Sequence, residues 1–284
     1  MSCHCRVKKV HTSGSSNIES RASMLQNLAD LFRARELLEA IVLRDVKVRY
    51  KQSVMGLLWA ILMPVIIVAA GALARLGMSI FANKPFDQSQ FASVVVKSVP
   101  WAFFVSSIRF ATSSLTGNYN LVTKLAFPKE IFPIAAVISC GFDFLIASAV
   151  LIIVGAALRV PLGWAVLWVP VALLLLLSLC VSAGLVLSAM NLFFRDVRHI
   201  VEVLLTFAIF FSPVFFDVDM FGRWKSYLLL NPVAPLLEAI RSSLVSRSTP
   251  DLFWLGYSAT ISLCALPLSY LFFKSQESKF AEYI

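Results

Sequence analysis

Six apolar runs fill most of this chain: residues 55–80, 91–112, 131–158, 164–190, 200–216 and 252–273. A helix rises about 1.5 Å per residue, so roughly 20 apolar residues cover the hydrocarbon core of a bilayer. Backbone in lipid must satisfy its own hydrogen bonds, which leaves only helices and closed barrels. Barrel strands read as alternating segments of about ten residues, and these runs are longer and do not alternate. The expected fold is therefore an all-α membrane protein with six transmembrane helices. The fifth run is the shortest and the second carries Lys97 and Arg109, so their boundaries are the least defined. Composition agrees: 14% of the 284 residues are charged, against about 25% in soluble domains.

The net charge is +9, but the cations sit at the ends of apolar runs rather than along one groove. That distribution excludes nucleic acid as the partner and fits lipid headgroups. With the N-terminus inside, 16 of the Lys and Arg residues fall on the cytoplasmic side and six outside. The bias places both termini in the cytoplasm. Residues 1–22 are polar and basic with no apolar centre, so they read as a flexible cytoplasmic tail and not a signal peptide. Residues 274–284 form a second cytoplasmic tail. Cys3, His4 and Cys5 are adjacent and lack the spaced pairs of a zinc site; no metal is expected.

Two segments depart from six plain spans. Residues 23–53 place Leu28, Leu31, Phe32, Leu38, Ile41 and Val42 at helical spacing among charges, which predicts an amphipathic helix at the inner interface. Its end is the collar "LRDVKVRYKQSVMGLLWAILMPV", with Arg44, Lys47, Arg49 and Lys51 set against a run that has no charge until Arg75. Residues 217–250 lie outside, yet "YLLLNPVAPLLEAIRSSL" is too apolar for a loop. With Pro232 and Pro235 as helix breakers, the expectation is a re-entrant helical hairpin flanking "NPVAP". Such backbone is tolerated at membrane depth only where protein or a water-filled cavity covers it. No internal repeat of broken helices appears, which argues against an inverted-repeat carrier.

No G-x-x-x-x-G-K-[ST] phosphate loop, H-E-x-x-H, EF-hand or G-x-S-x-G sequence occurs, so the chain is not expected to bind ATP that way or to do bond chemistry. Asp143 alone among the acids lies near the middle of a span, and ion-driven carriers usually need several. Its candidate partners are Lys97, Arg109, or backbone and hydroxyl groups; Lys97 is alternatively a conduit residue meeting an anionic substrate. Phe207, Phe211 and Phe215 recur every four residues, hence on one face if the fifth run is helical. Phe103 and Phe110 lie a heptad apart with Ser106 and Ser107 between them. Lipid explains such stripes without function; facing a pore, they offer flat platforms on which sugar rings slide. The loop "NYNLVTKLAFPKEIFP" predicts a short amphipathic helix stopped at Pro128. His199 has no second ligand at metal spacing.

In order along the chain stand "RDVKVRYKQSVMGLLWAILMP", "KLAFPKEIFP", "NLFFRDVRHIVEVLL", "FFSPVFF" and "LNPVAPLLEAIR". Together, over about residues 31–273, they resemble the ABC-2-type permeases that export bacterial surface polysaccharides: O-antigen of lipopolysaccharide, with capsule and teichoic-acid relatives. The resemblance implies a six-helix domain over 54–273 in the bacterial inner membrane. It implies a homodimer working with two ATP-binding subunits, which supply ATP and Mg chemistry; this chain needs no cofactor. It implies an ATPase-coupling surface at Arg44, Lys47 and Arg49 and along loop 119–130, here Tyr119, Leu121, Lys124, Phe127, Lys129 and Glu130. An outer gate is implied at about 220–244, with Trp224, Asn231, Pro232, Pro235 and Glu238. The conduit candidates are Trp59, Phe103, Phe110, Phe207, Phe211, Phe215 and Lys97. The rivals are a same-fold exporter of small lipophiles, an ion-coupled carrier titrating on Asp143, and a membrane scaffold.

Overall fold

The computed structural model describes residues 35–51, 58–82, 88–124, 127–157, 163–277 and 279–280. The expected tail 1–22, the first part of the amphipathic helix, and the side chains of Trp59 and Lys124 lie outside that description. The described residues form helices and turns, with no strand among them. We label the helices α1 (Arg35–Lys51), α2 (Leu58–Ala82), α3 (Gln88–Gly117), α4 (Tyr119–Lys124), α5 (Ile131–Ala157), α6 (Trp168–Phe193), α7 (Asp196–Ala208), α8 (Lys225–Leu229), α9 (Val233–Arg241) and α10 (Leu252–Glu277).

Among the described residues, four stretches are long and apolar enough to cross a membrane: Phe91–Gly117, Ile131–Ile153, Trp164–Phe193 and Leu252–Glu277. Helix α2 adds 25 residues, with a shorter apolar stretch at Pro64–Leu73. The third and sixth apolar runs match α5 and α10 closely, because apolar length alone defines them. The fifth does not. Helix α7 stops at Ala208 after 13 residues, about 20 Å of the roughly 30 Å needed. Tight turns follow, with Phe210 N–H on Phe207 O and Val214 N–H on Ser212 O. Pro213 has no N–H to give and disfavours the helical region at Ser212. Phe207, Phe211 and Phe215 therefore do not share one helix face.

Helix α3 packs on α5 and α6, and α10 on α6. The α3–α6 contact is close because residue 184 has no side chain: a Cβ there would meet Ala111 Cβ at 2.8 Å. At one end of the bundle Leu115, Val122, Ile131, Phe132, Leu185, Tyr270, Phe273 and Phe280 form a cluster that also takes Ile41 and Val42 of α1. We call this the α4 end. At the opposite, α9 end, Val218, Leu229 and Ala234 are buried with Trp254 against them. Helix α1 does more than anchor at its start. Its Ile41 and Val42 meet the first turns of α5, and eight residues on Arg49 meets Cys140 and Asp143. The two helices thus advance side by side.

The segment at the α9 end is two short helices joined through Asn231 and Pro232, which agrees with a break there. Pro235 does not break it. It sits in the first turn of α9, where a missing N–H costs no helical bond.

Candidate functional site

A cavity of about 610 Å³ opens between α1, α2, α3, α5 and α7. Its walls are mainly apolar and aromatic: Trp101, Phe103 and Phe110 from α3, Phe144 from α5, Leu205 from α7 and Ile67 from α2. Ser106, Thr206, Arg49, Tyr50, Arg109 and Asp143 supply its polar points. The heptad reading of α3 is legible in this wall, since Phe103, Ser106 and Phe110 all line it, whereas Ser107 turns away and is buried. Phe103 stacks at 5.3 Å on Phe144.

Asp143 pairs with neither Lys97 nor Arg109; of the expected partners it takes a hydroxyl, that of Tyr50, and its counter-charge is Arg49. Arg49 Nη1 donates to Oδ2 and the Tyr50 hydroxyl to Oδ1, both from α1. The Arg49 guanidinium also lies 4.3 Å over the Phe110 ring, a cation–π contact. Burial and the adjacent carboxylate push the Tyr50 phenol above its ordinary range, so it stays a protonated donor. Arg109 is exposed at the cavity and forms no ion pair among the described residues. Charge placement within spans points to Lys97 and Arg109, but α1, whose sequence reads as interfacial, supplies the counter-charge. Tyr50 carried no separate signal beyond following Arg49.

Lys97 does not line the cavity. It is fully buried at the α9 end, where Nζ donates to Phe216 O at 2.7 Å and to Asp217 Oδ1 at 3.1 Å. Ser93 adds a hydroxyl to the same carboxylate oxygen. Arg241 bonds Glu238 through Nε at 2.6 Å and lies 3.6 Å from Asp219 and 3.8 Å from Asp217. Lys225 meets Asp219 at 2.8 Å. Burial alone would raise the Asp217 carboxyl; Lys97, Ser93 and Arg241 outweigh it and hold the group below the usual carboxylate range. Sequence reasoning missed Asp217 and Arg241. Depth matching would have found Asp217, since Lys97 and Asp217 both fall near the same end of their apolar runs.

Of the other gate candidates, Asn231 caps α9 by accepting from Val233 N–H at 3.1 Å and donates to Ser212 at 3.1 Å. The Pro232 carbonyl accepts from Ser258 of α10 at 2.8 Å. Trp224 is exposed and packs on Tyr227. Pro235 is buried. Phe207 and Phe211 point outward at 57% and 71% exposure, whereas Phe215 packs inward against residue 71.

The coupling candidates separate into two sets. Lys47, two residues before Arg49 on α1, and Tyr119, at the α4 end, are exposed. Arg44 is half-turned inward, donating to Asp45 and to Asn118 Oδ1, each at 2.7 Å. Leu121 and Phe127 pack against the cluster there, and Lys129 lies 5.6 Å over Phe280. Glu130 is not available to a partner: it is fully buried, 3.1 Å from Lys274 and 3.3 Å from the Tyr270 hydroxyl. A carboxylate next to Pro128 and an apolar run reads as a loop charge; only the return of α10 buries it. No group of three or more metal-ligating side chains occurs among the described residues.

Known proteins align with most of this frame. The chain is 28% identical over 264 residues to the O-antigen export system permease protein RfbA of Myxococcus xanthus, covering 92% of this chain and all of that one. It is 28% identical over 226 residues to the RfbA permease of Klebsiella pneumoniae, covering 77% and 82%. The polysialic acid transport protein KpsM of Escherichia coli is 23% identical over 256 residues, covering 84% and 93%. The family model for the ABC-2 type transporter matches residues 36–245, from the start of α1 to beyond α9. The chain belongs to the ABC-2 type transporter family of membrane proteins.

Proposed function

We propose that this chain is the membrane subunit of an ATP-driven exporter that moves lipid-linked surface polysaccharide, O-antigen foremost, across the bacterial inner membrane. The carrying observation is its correspondence along 92% of its length with an O-antigen export permease. The aromatic cavity supports it chemically, because flat apolar rings let saccharide C–H faces slide without fixed hydrogen bonds. Two copies pair with two ATP-binding subunits that hold ATP and Mg. The exposed apolar side of α7, with Ile200, Leu204 and Phe207, is available to a second copy. The chain crosses six times with both termini inside, α2 and the segment around α7 completing the count. The hairpin of α8 and α9 re-enters from outside as the gate. Exposed Lys47 and Tyr119 meet the ATPase. An ion-coupled carrier is disfavoured: Asp143, its titrating group, already accepts from two donors.

The test is extraction of the tagged chain from its native membrane. The reading expects an equimolar partner bearing a phosphate loop. Repeated recovery without a nucleotide-binding partner, across several mild detergents, would remove the exporter's engine.

A further inference from the structure

We propose that Asp143 is the positioning residue through which movement of α1 reaches the wall of the cavity; the proposal rests on the exporter reading above. Helix α1 is already fixed at its start by Ile41 and Val42, which are buried against the first turns of α5. Anchoring needs nothing more. Yet eight residues further on, two successive α1 side chains converge on one carboxylate, Arg49 on Oδ2 and Tyr50 on Oδ1. Using both oxygens fixes the orientation of the helix end as well as its distance. The junction sits at the cavity instead of in the packed core, with Arg49 and Asp143 each 22% exposed. It is also joined to both neighbouring walls. Arg49 stacks on Phe110 of α3, and Asp143 precedes Phe144, whose ring packs on Phe103. A displacement of α1 therefore shifts α5 and the Phe110 ring together. A charged pair holds such a geometry stiffly, because either ion left alone at this depth is costly.

The experiment uses the complete transporter with its ATPase in lipid nanodiscs and vesicles. Three quantities are read: assembled complex, ATP hydrolysed, and polymer exported per ATP. Asp143→Asn keeps the side-chain shape and removes the charge. The proposal expects at least a tenfold fall in polymer exported per ATP, out of proportion to any loss of assembled complex. Tyr50→Phe, which leaves the ion pair and the ring in place, expects a smaller fall in the same ratio. The exchange of Arg49→Asp with Asp143→Arg expects partial recovery over either single change. An unchanged export ratio in both Asp143→Asn and Tyr50→Phe overturns the proposal. So does a loss that tracks the amount of complex, which marks a folding role only. Absence of ATP-dependent export in the unaltered complex would instead contradict the exporter reading itself.

Discussion

Glycine 184 and lysine 97 carry the sharpest consequences at the scale of single residues. Gly184 lets α3 and α6 approach until a Cβ would stand 2.8 Å from Ala111. Gly184→Val forces the pair apart and should cost about 1–3 kcal/mol, seen as a lower unfolding midpoint in detergent. Gly141→Ala on α5 meets nothing within 4 Å and should be neutral or stabilising by up to about 1 kcal/mol. The two variants in one assay separate close packing from helix propensity. Lys97→Met removes the nearest cation from Asp217 and leaves it Ser93 and the more distant Arg241, a loss of roughly 3 kcal/mol. Adding Asp217→Asn should recover part of it. Because the Asp217 carboxyl is held below its ordinary range when folded, its stabilisation is fully present above the ordinary carboxylate pKa of about 3.9 and lost as pH falls through the folded pKa. The unfolding midpoint should thus show no step from this carboxyl between about pH 5 and 8, and a decline below about pH 4. Neither residue was readable for its role in the sequence. A glycine in an apolar run does not name its neighbour, and a lysine in a span announces a partner without identifying it.

Helices defined by apolar length alone were the legible ones. The third and sixth runs and α5 and α10 nearly coincide, since nothing competes with burial there. The fifth run misled because hydropathy is blind to Ser212 and Pro213, which stop the helical ladder whatever the apolar content. The break between α8 and α9 was legible for the same reason, proline being a local signal. What sequence does not carry is which element returns to cover another. Its place beside Pro128 reads Glu130 as part of a partner-facing loop, but α10 brings Lys274 and Tyr270 onto it. This tie predicts that Glu130→Gln loosens the connection between α4 and α5. Limited proteolysis should then cut within residues 118–130 several-fold faster than in the unaltered chain. An unchanged cleavage rate would mean the apolar cluster alone holds the loop.

For the molecule as a whole, the two polar networks stand at different levels of one bundle. Asp143 with Arg49 and Tyr50 faces the cavity, while Lys97, Asp217 and Arg241 tie α3 to the segment at the α9 end. The chain's class was legible from five ordered motifs; of the two aromatic stripes, Phe103 and Phe110 line the cavity, whereas Phe207 and Phe211 point outward. The difference is physical, since α3 is one continuous helix with a true heptad and the fifth run is not. The most direct measurement of the central claim is transport in sealed vesicles holding this chain and its ATPase, loaded on the ATPase side with radiolabelled lipid-linked polysaccharide. The account predicts that polymer reaches the opposite side only with hydrolysable ATP and Mg, and stops when the ATPase is inactivated. Polymer transfer that persists without ATP, or none under any nucleotide condition while small lipophiles are moved, would contradict it.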